Sequence, residues 1–116
     1  MDLAAKLQLK PGHRLRTVDA PDSVASILPA LEGDDAALLV FVTSRAALES
    51  LRSDIVESAS LDRLTWVAYP KAGQLGTDLN RDSLAAVLID SGVQPVRQVA
   101  LDAVWSALRF RPGPAA

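Results

Sequence analysis

The sequence predicts an α/β domain: a three-layer sandwich around a mostly parallel sheet of about five strands, ending in an antiparallel hairpin. Three observations lead there. Two runs, Ala36–Ser44 ("AALLVFVTS") and Arg63–Pro70 ("RLTWVAYP"), are apolar on consecutive rather than alternate positions. That is the pattern of a strand covered on both faces. Segments with helical spacing separate the strand-like runs, and strand–helix alternation calls for a parallel sheet with right-handed crossovers. The last two strand-like runs, "VQPVRQVALD" and "AVWSALRFR", meet at about Asp102–Ala103, which leaves room only for a hairpin.

Each element has its own local reason. "DLAAKLQL" reads as a short helix with Leu3 and Leu7 on one face, stopped by Pro11 and Gly12. Arg14–Ala20 ("RLRTVDA") reads as an edge strand, since early charges at Arg14 and Arg16 resist further pairing. Asp22 and Ser23 are cap candidates for a short helix over "DSVASILPAL", whose end Pro29 obscures. Ser44 then caps "RAALESLRSDIVESA", with Leu48, Leu51 and Ile55 inward and Arg45, Glu49, Arg52 and Asp54 toward water. "RDSLAAVLIDSG" is a helix with Leu84, Val87 and Leu88 inward and Gly92 as its stop. Pro95 belongs at the start of its strand, where it removes no ladder bond.

Composition bounds the rest. The chain has 116 residues, which fits one domain, placed at residues 1–112 with a disordered tail at 113–116 ("GPAA"). Apolar residues make up 49% of it, enough for a core without staples. There is no cysteine, which excludes disulfides and thiolate chemistry and fits a reducing cytoplasm. His13 is the sole histidine, so no histidine-rich metal site forms within one chain. A net charge of −2 without a basic stripe disfavours nucleic acid. The longest apolar run is too short for a bilayer, and the N-terminus lacks the pattern of a signal peptide. The expectation is a cytoplasmic protein with no membrane or nucleic-acid partner.

A mostly parallel sheet closed by an antiparallel strand is how the class I methyltransferase fold ends. By analogy with the class I methyltransferase topology, the expected strand order is first, second, third, fifth, fourth. Here the segment between the first two strands is too short for the usual middle of that fold. The blocks "LKPG", "LVFVTSRA", "WVAYPK", "TDLNRD" and "VRQVALDAVWSALRFRP" together resemble DUF3052, a group of small bacterial proteins of unknown function. The resemblance runs from Leu9 to Pro112. It implies a truncated methyltransferase-like Rossmann fold and supplies no reaction.

Ligands of open parallel sheets bind beyond the carboxyl ends of the strands. Three loops leave those ends: Asp19–Ser23, Thr43–Arg45 and the turn "YPKAGQLGTDLNRD" (Tyr69–Asp82). The first lacks the glycines a methyltransferase cofactor needs and carries Pro21, and no GxGxxG follows any strand, so no cofactor is expected. In the turn, Lys71, the backbone around Gly73, Gly76 and Thr77, and Arg81 can hold an anion at a helix start. Equally, Thr77 or Asn80 caps that helix, Asp78 or Asp82 completes the cap, and Arg81 pairs with a carboxylate. Asp19 with Asp22 is a weak carboxylate pair, better read as a turn and cap. Ser44 lacks a nucleophile motif and a nearby histidine. His13 reads as a solvated loop residue, and Trp66 and Trp105 as core.

The leading expectation is a non-catalytic methyltransferase-like domain that binds a protein partner or forms a homodimer. The alternative is an enzyme or sensor for a small anionic ligand at the sheet rim. The candidate ligand-binding residues are Asp19, Thr43, Ser44, Arg45, Lys71, Thr77, Asp78, Asn80 and Arg81, with no catalytic or metal residues assigned. Lys71 and Arg81 are expected to share a cluster with Asp19 and Thr43.

Overall fold

The computed structural model describes residues 3–28, 33, 35–71 and 73–113. In chain order it holds α1 (Leu3–Lys6), β1 (His13–Val18), α2 (Asp22–Ala25), β2 (Asp35–Phe41), α3 (Arg45–Ser60), β3 (Thr65–Pro70), a 3₁₀ turn (Gln74–Gly76), α4 (Arg81–Asp90), β4 (Val93–Ala100) and β5 (Trp105–Pro112). The strands form one sheet in the order β1-β2-β3-β5-β4, as expected.

The fold class is not the expected one. β1–β2 and β2–β3 are parallel, but β3–β5 and β5–β4 are antiparallel, so the sheet is mixed rather than mostly parallel. Three comparable layers do not form either. The two long helices, α3 and α4, cover the same face through Leu48, Ile55, Leu84 and Leu88, packed on Leu38, Val40, Val67, Leu108 and Phe110. Burying each such leucine or isoleucine stabilises by about 1.5–3 kcal/mol. The other face carries Ala37, Leu39, Phe41, Trp66, Ala68 and Ala107, covered by Leu3, Leu7 and Val24 of the single-turn segments and by the loops. Among the described residues, that face is covered by these short segments and loops rather than by a helix of α3's length.

The crossovers also differ from expectation. β1 to β2 and β2 to β3 step one strand over in the same direction. The described part of the first connection packs Ala20, Val24 and Leu28 on one face, while α3 of the second packs on the other. Two equal steps on opposite faces have opposite hands, so they cannot both be the favoured right-handed kind.

Several local readings hold and several shift. Ser44 caps α3, its Oγ accepting from Ala47 N at 3.1 Å. β1 is an edge strand with Arg14 and Arg16 exposed. Trp66 and Trp105 are buried, and Phe41 meets Trp105 edge-on with ring centroids 5.2 Å apart. Gly92 follows α4 with φ +97°, a left-handed conformation that a side chain would strain. α2 is a single turn whose N-cap is Pro21 with no side-chain cap bond, so Asp22 and Ser23 do not cap it. Pro95 lies inside β4, where a register shift between Pro95 and Arg97 forms a bulge on this outer strand. His13 is not a solvated loop residue: it opens β1, half-buried, and its Nδ1 accepts from Lys10 N at 2.9 Å. Of the proposed tail, Gly113 donates its N–H to Gly92 O at 2.9 Å, and residues 114–116 lie outside the described ones.

Candidate functional site

The parallel strands end together at Val18, Phe41 and Pro70, and the antiparallel register sets Trp105 opposite Pro70 and Ser106 opposite Tyr69. The rim therefore gathers the loops after β1, β2 and β3 and the β4–β5 hairpin turn.

The turn after β3 is organised by caps. Asn80 is the N-cap of α4: its Oδ1 accepts from Ser83 N at 2.9 Å, and Ser83 Oγ accepts from Asn80 N at 3.0 Å. This capping box satisfies the Ser83 and Asn80 N–H groups at the helix start. Thr77 Oγ1 accepts from Leu79 N at 3.1 Å, a local turn bond. Asp78 reaches across the rim, its Oδ1 accepting from Arg45 N, the first residue of α3, at 2.9 Å. Of the rival caps, the true one is Asn80, with Ser83 as its partner.

Beside this capped turn lies a cleft of about 450 Å³ lined by Tyr69, Lys71, Asn80, Arg81, Asp82, Gln98 and Ser106. Lys71 Nζ donates to Asp102 O at 2.8 Å, and its main-chain N–H to Val104 O at 2.7 Å. Arg81 Nε donates to Gln98 Oε1 at 2.9 Å, and Gln98 Nε2 donates to Tyr69 Oη at 3.1 Å. Arg81 Nη1 also donates to Asp82 Oδ1 at 3.4 Å, an ion pair at the cleft edge in which the Asp82 side chain is 92% exposed. Burial pushes the Tyr69 phenol above its ordinary value; Arg81 opposes the shift and Asp82 adds to it. The phenol therefore keeps its proton at neutral pH and remains a donor.

The acceptors in this chain of bonds are already engaged. Gln98 Oε1 serves Arg81, Tyr69 Oη serves Gln98, and Asp102 O serves Lys71. Donors are left over: the Tyr69 hydroxyl, two of the three Lys71 N–H groups and the Arg81 Nη2 group. Such a cleft suits an acceptor-only group, a carboxylate or a phosphate.

Among the sequence candidates, Lys71, Asn80 and Arg81 line this cleft. Asp19, Thr43, Ser44, Arg45, Thr77 and Asp78 do not. Asp19 is exposed with φ +59°, Thr43 is exposed, and Ser44 is committed to its cap. The expected cluster of Lys71 and Arg81 with Asp19 and Thr43 reduces to the first two. Tyr69, Gln98 and Ser106 were not among the candidates. Tyr69 and Ser106 are opposite each other in the β3–β5 ladder, a relation that exists only once the hairpin has folded back.

A second groove, of about 210 Å³, lies between β1 and α3, with Arg14, Arg16 and Arg63 facing Asp54 and Glu57. It mixes both signs of charge and lies at the amino ends of the strands, away from the rim. No group of three or more metal-binding side chains occurs among the described residues. No helix among them is long and apolar enough to cross a membrane. No family model, curated protein or solved structure matches the chain.

Proposed function

We propose that the chain is a non-catalytic binding domain that holds the anionic group of a small ligand in the cleft between Lys71 and Arg81. The donor surplus carries this reading: two cations and a protonated phenol share one cleft, and their protein acceptors are already engaged. Lys71 is held to the hairpin turn and Arg81 to β4, so the two charges are placed before a ligand arrives, which lowers the ordering cost of binding. The sole histidine, His13, opens β1 at the other end of the sheet, and Ser44 is spent on a cap, so a serine–histidine pair is not part of the reading. The quoted sequence blocks support placing the chain with the bacterial DUF3052 group, and the absence of cysteine supports a cytoplasmic setting.

The test is a thermal-shift and titration series with citrate, succinate and pyrophosphate on the parent chain and on Lys71→Met. At least one anion should stabilise the parent with a dissociation constant below about 1 mM, equivalent to roughly 4 kcal/mol of binding. Lys71→Met should weaken it about ten-fold. If no anion binds, or binding survives Lys71→Met and Arg81→Ala, the reading fails.

One observation favours a second reading, binding of a protein partner through β1. β1 has a neighbour on one side only, and its exposed Arg14 and Arg16 suit an acidic partner strand. A homodimer by antiparallel β1 pairing fits less well. Pairing centred on Leu15 would set Arg14 opposite Arg16 of the second copy, and like charges directly opposite destabilise a ladder. Light scattering at high micromolar concentration should therefore give a monomer mass; a dimer lost on Leu15→Pro would restore the self-pairing.

A further inference from the structure

We propose a second anion pocket at the opposite end of the sheet, where Arg109, Lys10 and His13 take a phosphate-sized oxyanion. The pocket has a volume of about 280 Å³ and is lined by Gln8, Lys10, His13, Asp62, Leu64 and Arg109. It shares no lining residue with the rim cleft and does not depend on that cleft being occupied.

Arg109 is the centre of the argument. It stands on β5 opposite Trp66 of β3 and opposite Arg97 of β4. Its Nη1 donates to Gln8 Oε1 at 2.7 Å. Its Nε is buried, and no protein acceptor among the described residues reaches it. A buried donor without an acceptor is costly, and here it belongs to a cation. Like charge surrounds it: Arg97 lies directly across the ladder and Arg111 two residues along the same strand. Burial, then Arg111, then Arg97 lower the Arg109 pKa from its ordinary value, with Asp62 opposing.

The other lining groups are also donors. His13 Nδ1 accepts from Lys10 N, so the neutral ring carries its proton on Nε2. Lys10 is exposed and forms no ion pair with a described residue. Asp62 is the one carboxylate among the lining residues, and Arg111 holds both of its oxygens, Nε to Oδ1 and Nη2 to Oδ2, each at 3.0 Å. The Gln8 oxygen is taken by Arg109.

The wall is also rigid. Trp66 Nε1 donates to Leu7 O at 2.9 Å, and the next residue, Gln8, is held at φ +59° with its side chain on Arg109. The chain therefore presents Lys10 and His13 from a segment fixed on both sides. An oxyanion with several acceptor oxygens would answer the Arg109 charge and accept from Lys10 and His13 at once.

The experiment titrates inorganic phosphate into the full chain at constant ionic strength, with chloride as the control, and follows backbone amide shifts by NMR. Phosphate should move the Gln8, Lys10, His13 and Arg109 amides in a saturable way that chloride does not reproduce. Lys10→Ala, an exposed position, should weaken binding about ten-fold, the loss of one charge-assisted contact. Arg109→Met should abolish binding yet melt at or near the parent temperature, because it also removes like-charge repulsion. Lys71→Met should leave these shifts unchanged, which separates this pocket from the rim. The proposal is overturned if chloride gives the same shifts, if Lys10→Ala binds phosphate as the parent does, or if only rim amides respond. Should Arg109→Met not fold, the Lys10→Ala titration decides alone.

Discussion

Asp78, on the turn after β3, accepts the main-chain N–H of Arg45, the first residue of α3, at 2.9 Å. One carboxylate thus fastens the loops after two neighbouring strands and supplies negative charge at the start of a 16-residue helix. Asp78→Ala should destabilise by about 0.5–2 kcal/mol in urea unfolding. Asp78→Asn should recover part of that loss, since it keeps the acceptor and drops the charge. A neutral Asp78→Ala would show that the two loops are not coupled.

Asn80 should be a costlier position than Asp82. Asn80→Ala removes the cap of α4 and should cost about 0.5–2 kcal/mol. Asp82→Ala, whose side chain is 92% exposed, should change stability by less than about 0.5 kcal/mol. Equal costs at the two positions in a denaturant series would contradict the capping box.

Asp102 should matter through the hairpin turn. Its Oδ1 accepts from Val104 N at 2.8 Å and Trp105 N at 2.7 Å, while its carbonyl holds Lys71. Asp102→Ala leaves two donors seeking new partners and should cost about 1–3 kcal/mol. It should also weaken anion binding at the rim by loosening Lys71. Hydrogen exchange at Val104 and Trp105 should speed up; unchanged exchange would show that the turn holds without the carboxylate.

The Asp62–Arg111 pair gives a pH dependence of known sign. Its hydrogen bonds and charge hold the Asp62 carboxyl below its ordinary value of 3.8, with desolvation opposing. A depressed folded value means stability present above the unfolded value and lost as pH falls through the folded one. Unfolding midpoints between pH 5 and pH 2 should therefore fall more steeply for the parent than for Asp62→Asn. The difference should be small, because both side chains are about half exposed. Parallel curves would refute the pairing.

Trp66 joins α1 to the sheet through one bond, Nε1 to Leu7 O at 2.9 Å, in a fully buried setting. Trp66→Phe leaves that carbonyl without its donor and opens space, at a cost of about 1–3 kcal/mol for the polar loss alone. α1 should show faster hydrogen exchange than α3 in this variant. A variant as stable as the parent would show that α1 is held by its other contacts, among them Lys6 Nζ to Ala100 O, and not by this bond.

The sequence by itself determined the elements whose causes are local. Consecutive apolar residues marked β2 and β3, Ser44 and Gly92 marked helix ends, and a short polar connection marked the β4–β5 hairpin. Early arginines marked β1 as an edge, whereas the strand order was expected only by analogy with methyltransferase topology. Tertiary structure decided what depends on which face a connection crosses. A consecutive apolar run says that a strand is covered on both sides, but not whether a long helix or a single turn provides the cover. α3 and α4 thus share one face, the first connection thinly covers the other, and the three-layer reading gave way. The same reason governs the site. Lys71 and Arg81 lie close in sequence and were legible as candidates, whereas Gln98 and Ser106 join them and Tyr69 only because β5 folds back between β3 and β4. Asp78 joined Arg45 rather than the cleft, because a carboxylate near a helix start takes the nearest free N–H, and which helix lies nearest is settled by packing.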